Sequence, residues 1–515
     1  MPRKVRQLAP GQIAETLFVL DPDRDERAPQ LCAETLLTLA ENDYQAPTSP
    51  HVLRSPKRQR FALRSLALGE NFLHRHGTGR AGDALMTPEQ YGARLSRAEQ
   101  VRGSVHLHLA HQMLLGLVDP TTQRGQVGSW LLRPFHESLL WYDARRSSPS
   151  RQEWSVRKVY MRGSGITLAR LLLDPADEAV AEMGRRAVRA IREALRSPSP
   201  LSDISSRLES ALPGGESYSQ SPDLEEDERN AWARGRDPRL SALAACLCRH
   251  AEGVMLQNLG SPAARLWQLR TVLALDLAVH VLRTAWDVTA TPAEDRFLLL
   301  SFGGGARAQD PIRQRSERSY DRARIRLREA TVRTLARRMR ELAGAKVADW
   351  AGEFEPRSGL GDADPASVSC QLAHLRHPAP EEEYLRLARI AVENANYGRA
   401  EDGFRVLLES VGLLAGGTRY RFLTATPDLL AALVGSLSGE MPMPSDEFFS
   451  AVRREWGFVL NQKTAVGTSL AGQLDGAGLE RNARRAERLM GDAGLALGLS
   501  DRTTLVGERV ARFQP

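Results

Sequence analysis

Cysteine is scarce in this chain: four residues in 515, at Cys32, Cys246, Cys248 and Cys370. So few exclude a disulfide scaffold. Cys246 and Cys248 stand in C-x-C spacing within an Ala/Leu-rich stretch, one residue short of the C-x2-C knuckle of structural zinc sites. They read as small buried apolar residues of a reducing compartment. Aromatic residues reach only 6%, so the cores must be assembled largely from Leu, Ala and Val, the residues of packed helices more than of strands. No run approaches the ~20 consecutive apolar residues of a membrane span. The basic start, Met1 to Arg6, leads into no apolar core and cleavage site, so export is not expected. A bacterial-type cytoplasm, with no membrane partner, is the expected setting.

The signatures of chemistry are also missing. The chain holds no G-x4-G-K-[ST], no G-x-G-x-x-G opening a helix after a strand, no H-E-x-x-H and no G-x-S-x-G. Gly303-Gly304-Gly305 would let backbone amides approach an anion, but a flexible loop between helices accounts for it more simply. Arg162-Gly163-Ser164-Gly165 reads as a tight turn requiring positive φ. The densest histidine group is His106, His108 and His111. His108 and His111 stand at i, i+3, and with His136 or Asp119 they would complete a metal site. His106 points away from His108, so semi-buried helix histidines are the expectation. His74-Arg75-His76-Gly77 suits either a phosphate contact or an exposed loop. No catalytic residue, metal or cofactor is assigned.

Positive charge and length are what the chain does have. At 515 residues it exceeds a single core, and two to four domains are expected. The apolar share of 42% and charged share of 26% are those of globular chains, not disordered ones. The net charge is +7, with a pI near 9.4. Most of the cations are arginine, the side chain whose planar fork matches phosphate and carboxylate. High genomic GC content would raise Arg, Ala, Gly and Leu together and accounts for the total equally well, so clustering is the better evidence.

The expected fold is mainly α, a multi-domain helical protein with short β elements. Residues 1–196 read as a mixed, mainly helical domain, with helices near 12–20, 33–41, 88–117 and 176–195 and a strand at 154–161. The last of these helices carries Arg185, Arg186, Arg189 and Arg192 on its polar side. Residues 197–235, with Ser197-Pro198-Ser199-Pro200 and the acidic Glu225 to Glu228, read as a flexible linker. Residues 236–395 read as a central helical domain, in which 240–259 and 262–285 have i, i+3, i+4 apolar spacing. A long cationic helix follows from Ser319 to Leu342, and another helix spans 381–394. On that arginine-rich stretch Arg313, Arg315, Arg318, Arg322 and Arg326 recur at helical spacing and would track phosphates. The competing account is a solvated face with intrahelical pairs.

Residues 396–515 carry the most legible pattern. Phe404–Val411 reads as a helix that hands over at Gly412-Leu413 to a strand at Tyr420–Leu423. Helices at 427–437, at 446–456 with Ser445 as N-cap, and at 482–489 follow, with Arg453 and Arg454 on the second. Gly494-Leu495 then leads to a strand at Thr503–Val506. The two helix-Gly-Leu-strand passages rhyme, and they resemble the end of a winged-helix domain, where a recognition helix runs into a β wing. That resemblance implies a winged-helix-like C-terminal domain over 396–515. Arg481, Arg484, Arg485 and Arg488 would then form the DNA-facing set, with Arg485 or Arg488 reading guanine and Asn482 reading adenine.

The whole architecture, large and arginine-rich with such a tail and no catalytic motif, resembles subunits of bacterial antiphage defence systems. It implies a non-catalytic, DNA-associated accessory subunit working beside other protein subunits, such as a separate nuclease, helicase or methyltransferase. The alternatives are a helical scaffold that meets only proteins, or a metal-dependent nuclease built on His106, His108 or His111.

Overall fold

The computed structural model describes residues 10–22, 27–54, 136–137, 140, 144–146, 156–158, 163–198, 222–257, 261–303, 310–344, 375, 378–394, 399–417, 420–438, 441–500 and 503–507. These residues are mainly helical with a few short strands, as the shortage of aromatics implied. No described helix is long and apolar enough to cross a membrane. The chain divides into two units, one of Met1–Arg27 with Ala274–Pro515 and the other of Ala28–Leu273. That division falls inside one continuous helix, whereas composition alone placed breaks near 196, 235 and 395. Proline and charge mark where a chain turns, and they do not report which helices later pack together.

Helix α1 (Pro10–Phe18) belongs to the split unit. The Ala28–Leu273 unit contains α2 (Ala28–Glu41), the antiparallel pair β1 (Ala144–Arg146) and β2 (Val156–Lys158), α3 (Ser164–Leu173), α4 (Glu178–Leu195), α5 (Pro222–Arg234), α6 (Ser241–Met255) and the start of α7 (Pro262–Val288). Helix α5 occupies part of the stretch read as a flexible linker. Its acidic residues sit toward the N-terminal end, where the helix dipole favours them, and Ala231 and Trp232 are fully buried. The turn before α3 does require its glycine, since Gly163 has φ +92°. The buried Glu34 carboxylate accepts from Gly163 N (3.0 Å) and Gly165 N (2.8 Å), closing the N-terminus of α3. A Cβ on Gly184 would lie 2.3 Å from Leu172 O, so glycine is what lets α3 and α4 cross this closely. Cys32 and Cys248 are buried here, and burial pushes each thiol up to about 12.

The other unit is built on α8 (Pro311–Gly344), a helix that starts eight residues before the expected Ser319. Asp310 is the reason: its Oδ1 accepts from Ile312 N (3.0 Å) and Arg313 N (3.1 Å), and Pro311 takes the first helical position. The apolar side of α8 packs α9 (Glu381–Asn394) and α1 through Ile13, Val332, Leu335, Met339, Tyr384 and Leu387. Beside it, α10 (Arg399–Ser410) leads into the hairpin β4 (Leu414–Ala415) and β5 (Phe422–Leu423). Two buried serines of α8 do the work of a strand neighbour. Ser316 Oγ donates to Leu423 O (3.0 Å) and accepts from Leu423 N (2.8 Å), while Ser319 Oγ accepts from Leu299 N (3.2 Å).

From there the order is α11 (Pro427–Leu437), β6 (Met443–Pro444), α12 (Ser445–Trp456), β7 (Phe458–Val459), α13 (Gln462–Ala465), α14 (Gly476–Asp492), β8 (Ala496–Ser500) and β9 (Thr503–Val506). The last two strands and β6 form an antiparallel sheet in the order β6-β9-β8. β7 pairs in parallel with β3 (Leu298–Leu299). Pro444, not Ser445, occupies the cap of α12, and no side chain caps it. Buried Trp456 donates from Nε1 to Asp276 Oδ1 at 2.8 Å. The rhyme between the two helix endings is real in backbone terms. Gly412 and Gly494 have φ +76° and +73°. Leu413 N bonds back to Leu408 O (2.9 Å) and Leu495 N to Met490 O (2.8 Å), while Gly412 N and Gly494 N bond three residues back. Both endings are therefore the same Schellman closure.

Candidate nucleic-acid interface

The arginines of α8 are largely engaged within the protein. Arg313 stacks over Phe422 at 4.3 Å and lies 3.8 Å from Glu317. Arg326 pairs with Glu329 at 2.9 Å, which also holds Arg333 at 2.6 Å. Arg324 and Arg328 both reach the buried Glu401 of α10, the latter at 3.0 Å. Arg322 stands 3.5 Å from Asp295. Arg318 is exposed and Arg315 half-buried, and neither has an ion-pair partner among the described residues. The five residues Arg313, Arg315, Arg318, Arg322 and Arg326 therefore do not form one open cationic face. Counting only the carboxylates within the helix undercounted its partners, because Glu401 and Asp295 arrive from other elements.

Helix α14 is arranged differently. Leu479, Asn482, Ala483, Ala486 and Met490 form its buried side. Arg481, Arg484, Arg485 and Arg488 lie on the opposite side, all exposed. Arg481, 66% exposed, is 3.7 Å from Asp475, itself exposed, a contact worth little in water. Arg484, Arg485 and Arg488 have no ion-pair partner among the described residues. Arg485 Nη1 reaches toward the start of α8: a Cβ on Gly303 would stand 3.3 Å from it and 1.7 Å from Asp310 Oδ2. Glycine at 303 is thus what allows Asp310 and Arg485 to approach that backbone.

Asn482 does not belong to the outward set. It is 2% exposed. Its Nδ2 donates to Leu300 O (2.9 Å) and Leu460 O (3.0 Å), and its Oδ1 accepts from Phe302 N (2.8 Å). The side chain clamps the segments that follow β3 and β7, so it does not face outward to read adenine. Arg453 is likewise inward, donating from Nη1 to Arg296 O (3.0 Å) and Gly457 O (2.9 Å), and burial lowers the pKa of its guanidinium. Arg454 is exposed beside Glu455. On α4, Arg185 is held by Glu178 (2.6 Å) and Glu182 (2.8 Å), Arg186 by Glu252, and Arg192 lies over Tyr44 at 5.9 Å.

A cavity of about 240 Å³ opens between the end of α7 and the middle of α8, with Trp286, Asp295, Phe297, Arg322 and Arg326 among its lining residues. No spacing signal in the sequence marked it, since its lining comes from two separate stretches, 286–297 and 319–326. Among the described residues no group of three or more His, Cys, Asp and Glu side chains is placed to hold a metal ion. His106, His108, His111, Asp119 and the His74-Arg75-His76-Gly77 turn lie outside the described residues.

No family model matches the chain, and no curated protein or solved structure gives a significant match.

Proposed function

We propose that the chain is a non-catalytic, DNA-binding accessory subunit whose C-terminal part is a winged-helix-like module that sets α14 against the duplex. The observation that carries this reading is the outward face of α14, where Arg484, Arg485 and Arg488 are exposed without ion-pair partners among the described residues. Unpaired arginine gains most from phosphate, since no internal pair must be broken and bound counterions are released from the nucleic acid. The order α11, β6, α12, α14, β8, β9 with the sheet β6-β9-β8 supports the winged-helix reading, because a helix, a strand, two more helices and a hairpin whose last strand pairs with the first are the sequence such a module requires. The segment from β7 to residue 475 is an insertion within that order.

Under this reading α14 enters the major groove, where Arg485 and Arg488 are placed for guanine edges and Arg481 and Arg484 for phosphates. The turn between β8 and β9 flanks the neighbouring backbone. An accessory role, beside separate protein subunits such as those of an antiphage defence system, follows from the architectural resemblance alone. Mobility-shift titration of duplex DNA at several salt concentrations tests the binding itself. Retention that falls steeply with salt supports it, and absence of any shift at low salt overturns it. Replacing Arg481 and Arg484 together by Ala is expected to reduce the salt slope by about two, roughly one per lost phosphate contact.

A further inference from the structure

The cavity between α7 and α8 holds about 240 Å³, against about 150 Å³ for an apolar cavity that takes one benzene ring. That is space for one heteroaromatic ring system and little more. Trp286, Phe297 and Ala323, all buried, supply the apolar part of its lining, and Thr291 and Ser319 supply polar atoms. Arg322 and Arg326, one helical turn apart, also line it, in part-exposed pairs with Asp295 (3.5 Å) and Glu329 (2.9 Å) that a phosphate can displace, and between them Ile325 stands 62% exposed. Asp295 also lines the cavity and accepts from Ser469 Oγ through Oδ1 at 2.6 Å. Aromatic side chains, a carboxylate able to accept from ring N–H groups, and two arginines in part-exposed pairs match the three parts of a nucleotide: the face of its base, the edge of its base and its phosphates.

The position of the slot adds to the match. The first turn of α8 packs against α14, Ile312 sharing one apolar cluster with Leu479, and Arg485 of α14 reaches the backbone at Gly303 beside Asp310. Arg318 and Arg322 then lead along α8 from that junction to the slot. At 1.5 Å per residue, the distance along α8 from Asp310 to Arg322–Arg326 is about 18–24 Å. That equals roughly five to seven nucleotide steps of ~3.4 Å.

We infer that this cavity receives one unstacked base of the DNA strand held by α14, with the flanking phosphates against Arg322 and Arg326. The inference rests on the DNA-binding reading of α14 and assigns its preferred substrate: a duplex that continues into a single-stranded tail. A base in a tail has no partner to lose, so only stacking must be exchanged for the slot.

The test uses the full-length protein and duplexes carrying a single-stranded tail with 2-aminopurine at successive positions. The expected result is a change in 2-aminopurine emission confined to positions about five to seven nucleotides from the junction, with tailed DNA bound about tenfold more tightly than blunt duplex. Ala323→Leu, which fills the slot from its wall, is expected to remove the emission change and the tail preference while leaving blunt-duplex affinity within about twofold. If that variant loses its cooperative thermal transition, Ile325→Glu at the exposed rim serves instead. It brings a negative charge to the phosphates without touching the core, and the same losses are expected. An emission change insensitive to both variants, or no tail preference in the wild type, overturns the slot while leaving α14 standing. Displacement of the signal by micromolar free deoxynucleotides also overturns capture from a strand and makes a free nucleotide the occupant. No binding of either DNA at low salt overturns the α14 reading and the slot with it.

Discussion

Helices α8 and α14 are both arginine-rich, with eleven arginines in 34 residues and four in 17. Their densities are similar and their uses differ. On α8 several guanidinium groups join one element to the next, as when Glu401 holds Arg324 and Arg328 and Phe422 takes the face of Arg313. Others pair within the helix, and Arg315 and Arg318 have no ion-pair partner among the described residues. On α14 one side is wholly apolar or clamped and the cations stand on the other. What separates the two is the supply of carboxylates from elsewhere in the fold. Arginine content therefore reports where phosphate is bound only after the tertiary acids have been subtracted.

Charge reversal on the two helices should separate them most sharply. Arg484→Glu with Arg485→Glu and Arg488→Glu is expected to weaken duplex binding by ~100-fold or more at moderate salt. The melting temperature should be almost unchanged, because exposed substitutions cost within about 0.5 kcal/mol. Retained affinity in a filter-binding assay would erase the contrast with α8. Asn482→Ala is the inverse case on the same helix, expected to cost about 2–3 kcal/mol in urea unfolding by stranding buried amide and carbonyl groups. The folded fraction should still bind duplex DNA at wild-type affinity. If stability held and sequence preference at adenine disappeared instead, Asn482 would belong to the outward face after all.

Glu401→Gln should lower stability by about 1 kcal/mol, since both of its arginine partners keep partial access to water. Its diagnostic effect is a gain: Arg324 and Arg328, released from their acid, are expected to strengthen duplex binding about two- to threefold and steepen its salt dependence. Unchanged binding would place those arginines away from any nucleic acid. The smallest effect is expected from Arg338→Ala, whose exposed pair with Glu341 at 2.6 Å is worth about 0–0.5 kcal/mol. A calorimetric shift beyond a degree or two would show a coupling in α8 that its surface contacts do not suggest.

Periodicity made the helical class, the glycine-ended helices and the outward arginines of α14 legible from sequence, because each depends on neighbours within a turn or two. Asn482 shows where that reasoning slipped. Grouping it with the arginines passed over the apolar spacing of Leu479, Ala483 and Ala486, which puts position 482 on the inner side. The pairing of Arg324 and Arg328 was not legible, since Glu401 lies more than seventy residues from them in sequence. Nor did composition reveal Ser316 and Ser319 as partners of strand backbone: in an arginine-rich segment they read as ordinary polar residues. The stretch 222–234 was misread for a related reason, its acidic character masking the buried Trp232 on the same helix.

The twin closures at Gly412 and Gly494 have a mechanical meaning. In each, two backbone bonds reach back from the turn into the last turn of the helix, so helix and hairpin behave as one bent lever with no hinge between its arms. The β8–β9 arm is thereby tied to α14 and the β4–β5 arm to α10, and Ser316 ties the second hairpin to α8 as well.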